Sequence, residues 1–235
     1  TPLYSSAASD VYKRQPVRRI KGKFDELTKT RKFKESIPDW MDELGVKELG
    51  EDIWTKELAA QNEQAKVILR VNKLKTTKEK LRALLMDLNI ETEFHNDYPD
   101  ALILTERANV FLTDAFKDGL FEVQDASSQL VAYFLDVKPG MRVVDTCAGA
   151  GGKTLHLASL MENKGQLIAM DLYESKLKQL KIRAKRNGAF NIEPRVIEST
   201  KTIKKLHEKA DRVLIDAPCS GCLLYTSPSP RDRTR

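Results

Sequence analysis

Residues 145–154, DTCAGAGGKT, constrain this chain more than any other stretch. They follow residues 141–145 (MRVVD), a short apolar run ending in a carboxylate, and they precede a helical pattern over 151–162. Glycines placed between a strand and a helix let the backbone approach a ligand closely and turn its amides toward it. Three ligands compete for such a turn. A phosphate-binding loop needs G-x-x-x-x-G-K-[ST]; Gly152-Lys153-Thr154 fits its end, but Cys147 stands where the first glycine belongs. A dinucleotide site wants G-x-G-x-x-G; Gly149 and Gly151 fit, and Thr154 breaks the third position. A methyl donor with an adenosine half makes similar demands. Residues 166–171 (QLIAMD) then supply a second strand whose terminal acid, Asp171, stands where a carboxylate holds ribose hydroxyls.

The alternation continues. Residues 174–187 place Leu177, Leu180 and Ala184 on one helical stripe, stopped by Asn187-Gly188. Residues 195–198 and 212–216 (RVLID) read as a third and a fourth strand. Strands alternating with helices imply a parallel, Rossmann-like α/β sheet, with ligands at the strands' carboxyl ends. Asp145, Asp171 and Asp216 all fall there. Upstream, residues 67–72 and 101–104 are strand candidates. Thr77 caps a helix bearing Leu81, Leu84, Leu85 and Leu88, and residues 119–124 are extended. That pattern predicts a small α+β domain, with helix 125–136 as the bridge. Before it, Ser36-Ile37-Pro38-Asp39 starts a helix with Trp40 and Leu44 on one face, and Trp54, Leu58 and Ala65 form another stripe.

No apolar run approaches the roughly 20 residues of a membrane helix, and no N-terminal stretch suits a signal peptide. Cys147, Cys219 and Cys222 make neither a disulfide framework nor a zinc pattern, so a reducing cytoplasm, no metal and no membrane are expected. His95, His156 and His207 are scattered and read as surface or half-buried residues. The formal charge of +6 invites a nucleic-acid reading. Half of it sits in residues 1–15 (Lys13 and Arg14 against Asp10) and 222–235 (Arg231, Arg233 and Arg235 against Asp232). Both stretches lack periodicity and resemble translated sequencing adapter. Local clusters must therefore carry the RNA argument: Arg18, Arg19, Lys21 and Lys23 within the basic stretch 16–35, and Lys176, Lys178, Lys181, Arg183, Lys185 and Arg186 on one helix, which reads more simply as a solvated face.

Residues 216–221, DAPCSG, put a cysteine beside a proline at the end of the fourth strand. With this motif the chain resembles the Sun family of RNA cytosine-5 methyltransferases, the RsmB-like enzymes. The cofactor turn at 145–153 is similar to theirs, residues 119–132 resemble their lead into the catalytic domain, and residues 69–76 resemble their small RNA-binding domain. The resemblance spans about residues 36–221. It divides the chain into a non-native tail (1–15), a helical and small α+β RNA-binding domain (16–124), the first half of a Rossmann-like methyltransferase domain with an incomplete sheet (125–221), and a second non-native tail (222–235).

The resemblance implies S-adenosylmethionine as cofactor, bound by Cys147, Ala148, Gly149, Ala150, Gly151, Gly152, Lys153, Asp171 and Asp216. It implies catalytic roles for Cys219, Asp216 and Lys153. Carbon 5 of cytosine is a poor nucleophile; a thiolate added to carbon 6 makes it enamine-like, so it can take a methyl group, after which a base removes the carbon-5 proton and the thiolate leaves. The base must be unpaired or flipped out. By the resemblance Cys219 assists product release, and the nucleophile belongs to a Thr-Cys after the next strand. Here the only Thr-Cys is Thr146-Cys147, in the cofactor turn. A rival assignment makes Cys219 the nucleophile, as in DNA cytosine methyltransferases. The adenine-contacting acid is unassigned: Glu198 is nearest, in a segment that departs from the family pattern. The expected partner is RNA, ribosomal first and transfer RNA second, bound by a monomer. The chain as written is expected to fold poorly, through its exposed fourth strand, and not to methylate. The competing functions are a non-catalytic RNA- or cofactor-binding protein and a nucleotide-binding oxidoreductase or NTPase.

Overall fold

The computed structural model describes residues 17–217, and Cys219 lies outside them. The described residues fall into two compact units, 17–64 and 65–217.

The first unit is helical: α1 (Val17–Leu27), α2 (Arg31–Lys34), α3 (Asp39–Leu49) and α4 (Glu51–Gln61). Its centre is Trp54, whose indole covers the Cβ-less Gly45; a methyl group there would lie 2.2 Å from the ring. The indole N–H donates to Asp42 at 2.8 Å, and Arg31 grips the same carboxylate through Nε (2.9 Å) and Nη2 (3.1 Å). Arg31 holds the Asp42 carboxyl below its usual range, against the opposing pull of burial. Trp40 and Leu44, expected on one face, share it and are exposed, because α3 turns its Gly45 face to Trp54. Trp54 and Leu58 are buried as expected; Ala65 falls beyond the end of α4. The basic stretch 16–35 is largely helical, with Arg19, Lys21 and Lys23 exposed.

The second unit begins with an antiparallel sheet of β1 (Ile68–Val71), β2 (Thr92–Phe94), β3 (Ala101–Leu104) and β4 (Phe121–Val123), in the order β2-β3-β1-β4. Helix α5 (Lys78–Met86), capped by the Thr77 hydroxyl, buries Leu81 and Leu85 against it. Leu84 and Leu88 stay exposed, so the buried stripe is narrower than the leucine pattern suggests. The predicted strands at 101–104 and within 119–124 form; β2, short and polar, carried no sequence signal. A 3-10 turn (Val110–Leu112) and α6 (Asp114–Lys117) lead into β4.

Helix α7 (Ala126–Phe134), capped by the Asp125 carboxylate, crosses to the parallel sheet. That sheet holds β5 (Arg142–Asp145), β6 (Gln166–Asp171), β7 (Ile192–Val196) and β8 (Arg212–Leu214), in the order β7-β6-β5-β8. Every pairing is parallel. The first strand is therefore internal: the chain steps outward through β6 and β7, then returns to pair β8 on the other side of β5. This reversal opens a crevice at the carboxyl end of β5, where ligands of such sheets bind. The third strand starts at Ile192, three residues earlier than predicted, because Pro194, a poor ladder former, sits inside it. Helices α8 (Gly152–Leu160) and α9 (Glu174–Asn187) cover one face, burying Leu155, Leu157, Leu177 and Leu180 among Val143, Leu167 and Leu214. The other face packs Val144, Ile168 and Met170 against Ile197, Leu206 and Ala210, around α10 (Thr200–Lys204). Among the described residues β8 is an edge strand with Val213 and Ile215 exposed. Unprotected apolar edges favour association.

Polar groups join the two sheets. Asp100 is buried; it accepts from Tyr133 Oη and His156 Nε2, both at 2.8 Å, with Lys73 Nζ 3.5 Å away. His156, expected at the surface or half-buried, is 1 % exposed because the middle of α8, Thr154 to Ser159, is buried. Burial lowers its pKa to about 4, against the opposing pull of Asp100. Burial also pushes Asp100 up, but its bond to His156 and its other partners outweigh this and hold its carboxyl below the usual range. The folded protein keeps the imidazole neutral where the unfolded chain protonates it. Stability present at neutral pH should therefore fall as pH drops from about 6.5 to about 4, by roughly 3 kcal/mol from His156 alone. His156→Gln retains an N–H donor for Asp100 but cannot titrate. Its urea midpoint should be lower at pH 7.5 and should lose the acid-side fall that His156 supplies, dropping less than wild type's across that window; a slope matching wild type would assign acid sensitivity elsewhere.

Candidate active site

The crevice is built from the ends of three strands. At the end of β5, Asp145 is buried and turned inward: its carboxylate accepts from the Thr154 hydroxyl at 2.7 Å and from the Cys147 amide at 3.3 Å. Both donors lie in the Gly-rich turn, so this acid shapes the turn. Burial pushes Asp145 up to about 6; the Thr154 and Cys147 hydrogen bonds oppose that shift and Asp216 adds to it. Thr146 ties the end of β5 to β8 by donating its amide (3.0 Å) and its hydroxyl (3.1 Å) to the Leu214 carbonyl.

The turn itself is left-handed at two glycines. Gly149 has φ +54° and Gly151 φ +92°, conformations that L side chains rarely adopt. A Cβ at Gly151 would come within 2.9 Å of Leu180 on α9; beside Gly149 the space is open, and a side chain there would enter the crevice. Ala148 points into the core and its amide donates to the Met170 carbonyl at 2.9 Å. The Ala150 carbonyl accepts from Arg183 at 2.9 Å. Gly152 opens α8.

At the end of β6, Asp171 receives the Gly149 amide on Oδ2 at 2.9 Å and the Tyr173 amide on Oδ1 at 2.8 Å. Its position is fixed by backbone donors, and its remaining lone pairs face a cleft of about 280 Å³. Thr146, Cys147, Gly149, Leu172, Tyr173, Lys176 and Asp216 complete the lining. Past β8, Asp216 is about half exposed and pairs with Lys153 Nζ at 2.6 Å. Lys153 is the second residue of α8, so the turn that shapes the cleft also delivers the lysine to the acid.

Of the residues singled out in the sequence, Cys147, Gly149, Asp171 and Asp216 line the cleft, while Ala148, Ala150, Gly151, Gly152 and Lys153 belong to the turn and the start of α8 without lining it. Cys219 lies outside the described residues. Glu198 is exposed beyond β7. Leu172, Tyr173 and Lys176 were missed, though their position directly after the second strand's acid is itself a signal. The six basic residues of α9 split: Lys178, Lys181 and Lys185 are exposed, Lys176 lines the cleft, and Arg183 and Arg186 point inward to Glu122, so they belong to no solvated face.

Comparison with known proteins agrees with this geometry. Residues 37–111 match the family model for the ferredoxin-like domain of RsmF/B-like methyltransferases, and residues 132–229 match that for the 16S rRNA methyltransferase RsmB/F. The chain belongs to the RsmB/F methyltransferase family. It is 34 % identical over 203 residues to the probable ribosomal RNA small subunit methyltransferase B of Synechocystis, covering 84 % of this chain and 45 % of that one. It is 35 % identical over 207 residues to the Bacillus subtilis protein of the same description, covering 88 % and 44 %. A methyltransferase homologue from Pyrococcus horikoshii superposes with a TM-score of 0.73 at 29 % identity, over 81 % of this chain and 62 % of that one. The chain spans a little under half the length of the curated relatives it matches. Among the described residues no helix is long and apolar enough to cross a membrane, and no cluster of metal-ligating side chains occurs.

A carboxylate whose folded pKa is raised destabilises the protein when ionised, and the penalty shrinks as pH falls through about 6 toward the unfolded value. Asp145→Asn keeps an acceptor in place without the buried charge. It should raise stability at pH 8 by up to about 3 kcal/mol, with the advantage fading between pH 6 and pH 4. Denaturant titrations at pH 8 and pH 4.5 check this; a less stable variant at pH 8 would show that the hydrogen bonds to the ionised acid outweigh its burial.

Proposed function

We propose that the chain carries the cofactor-holding part of an S-adenosylmethionine-dependent RNA cytosine-5 methyltransferase, with ribosomal RNA as substrate. One observation carries this reading: Asp216, paired with Lys153 at 2.6 Å, lines the same cleft as Gly149 of the turn and the amide-held Asp171. A solvent-accessible ion pair contributes little to stability, commonly under about 1 kcal/mol. Its place at the mouth of a ligand cleft is therefore explained better by chemistry than by folding.

The residues present fit the cofactor. Asp171 has lone pairs left for ribose hydroxyls, Leu172 and Tyr173 offer apolar walls, and open space beside Gly149 admits a ligand against the backbone. When bound, S-adenosylmethionine supplies an electrophilic methyl group. The chain's own part is to place acid and base. Asp216 faces the cytosine ring as a thiolate adds to carbon 6, and the proton the ring takes up comes from the Lys153 ammonium, relayed through the Asp216 carboxylate, which leaves the lysine neutral. Cys219 follows Asp216 by three residues and is assigned to product release. The attacking thiolate is assigned to a Thr-Cys pair that residues 1–235 hold only inside the cofactor turn. We therefore assign cofactor binding, and not turnover, to this stretch of chain.

Calorimetric titration tests the reading. The 235-residue chain should bind S-adenosylmethionine, and Asp171→Ala should weaken binding at least tenfold, about 1.4 kcal/mol or more, by removing charged hydrogen bonds. Incubation with methyl-labelled cofactor and 16S rRNA, or with transfer RNA, should give no 5-methylcytosine. Binding of ATP or NAD in place of the methyl donor would overturn the assignment, and transfer to either RNA would show that the nucleophile lies within these residues.

A further inference from the structure

The cofactor turn is held from outside its own sheet. Arg70, in the middle strand pair of the antiparallel sheet, is 3 % exposed, and its Nη1 donates to the Gly152 carbonyl at 2.5 Å and to the Gln124 side chain. Arg183 of α9 donates Nη1 to the Ala150 carbonyl at 2.9 Å and Nη2 to Glu122 at 2.9 Å. Glu122, on β4 beside Arg70, also accepts from Arg186 and from Asn187 Nδ2. Two carbonyls of the turn, at 150 and 152, are thus fixed by two guanidinium groups: Arg183, which also grips the buried Glu122 carboxylate, and Arg70, the cross-strand neighbour of Glu122. The Gly151 amide between them donates to the Ala148 carbonyl at 2.9 Å, so the two guanidiniums brace a turn that closes on itself just behind Gly149, which lines the cleft. Arginine suits this work because its planar fork fixes direction, which a lysine's single rotatable ammonium does not.

We propose that Arg70 and Arg183 are positioning residues for cofactor binding, through which the antiparallel sheet sets the shape of the glycine turn. This rests on the methyl-donor reading of the cleft. Neither arginine lines the cleft, so their action on the ligand is through the turn. A group that docks on or displaces the antiparallel sheet would then change cofactor affinity at a distance, and cofactor binding would reciprocally stiffen the sheet's junction with α8.

The test uses the full chain and S-adenosylhomocysteine as the probe. Arg70→Met and Arg183→Gln should each weaken binding about tenfold or more, and Arg183→Lys should recover only part of the loss. Hydrogen exchange in the peptide covering 146–153 should speed up in both variants while strands β6 and β7 keep wild-type rates. Lys75→Met is the comparison, since Lys75 also joins the sheet to α9, through the carbonyls of Asp118 and Arg186 at 2.7 Å and 2.6 Å, without touching the turn. It should hold affinity within twofold whatever it costs in melting temperature. Arg183, a quarter exposed, carries the test if loss of buried Arg70 prevents folding. Wild-type chain that binds no S-adenosylhomocysteine would remove the methyl-donor reading itself. Wild-type binding with Arg183→Gln equally tight, or with Lys75→Met equally impaired, would overturn the positioning role alone.

Discussion

A single buried carboxylate governs how the parts of the second unit meet. Glu122 is 3 % exposed, and an isolated ionised carboxylate there would be prohibitively costly. It is retained because Arg183, Arg186 and Asn187 converge on it from α9. Burial pulls its pKa up, and these partners outweigh that and hold it below the usual range. Apolar burial is non-directional and leaves neighbouring elements free to slide. A carboxylate that must meet two guanidiniums and an amide tolerates one register. The end of α9 is accordingly seated with its Arg186 carbonyl hard against Gly119, where any Cβ would collide, and with the Arg186 guanidinium 3.9 Å from the centre of the Phe116 ring. Once α9 is seated, Leu180 is fixed too, and Leu180 is what leaves room only for glycine at position 151.

The three acids at or just past the strand ends then take different states, Asp171 and Asp216 lying two residues further along than the positions level with Asp145. Asp145 is enclosed, bonded to the turn and pushed up to about 6 by burial. Asp171 is saturated on one side by amides and open on the other. Asp216 is half exposed and paired with a lysine. Strand order causes the difference. β5 is internal, so its terminal carboxylate is covered by the turn that follows it. β8 is reached last and lies at the margin of the described sheet, so its acid meets solvent and substrate side. One of these groups shapes the turn, and the proposed reading gives cofactor binding to the second and proton exchange to the third.

Much of this was legible in the sequence, for reasons that differ by element. The parallel sheet announced itself because buried strands are short apolar runs ending in acids, and 141–145 and 166–171 are such runs. Helix α9 was read to the residue, since Asn187-Gly188 supplies both the last turn and the left-handed stop. The tight turn at the end of β5 followed from its glycines, because few other residues accept the required φ at 149 and 151. What failed was everything decided by long-range polar contacts. Arg183 and Arg186 look, in sequence, like any lysine-rich helix face; only Glu122, more than sixty residues upstream, turns them inward. His156 looks incidental until Asp100 is brought beside it. Strand β2 is three residues of mixed polarity whose existence depends on pairing with β3. Trp40 and Leu44 have helical spacing, but the small residue next to them decided which face was buried.

Helix α8 shows how these long-range contacts reach the chemistry. Successive residues of a helix are rotated by about 100°, so neighbours face different partners. Within one turn of α8, the Gly152 carbonyl meets Arg70, Lys153 meets Asp216, Thr154 meets Asp145, and His156 meets Asp100. Two of these partners belong to the antiparallel sheet or its flanking loop and two to the strand ends that form the cleft. A hydrogen-bonded turn cannot shift one of its residues and leave the rest. Any movement of the antiparallel sheet that breaks the Arg70 and Asp100 contacts must rotate or slide the start of α8, and Lys153 moves with it. The lysine's 2.6 Å contact with Asp216 has no backbone bond of its own to preserve it. The Lys153–Asp216 pair is therefore tied to the small sheet as well as to the parallel sheet that carries it.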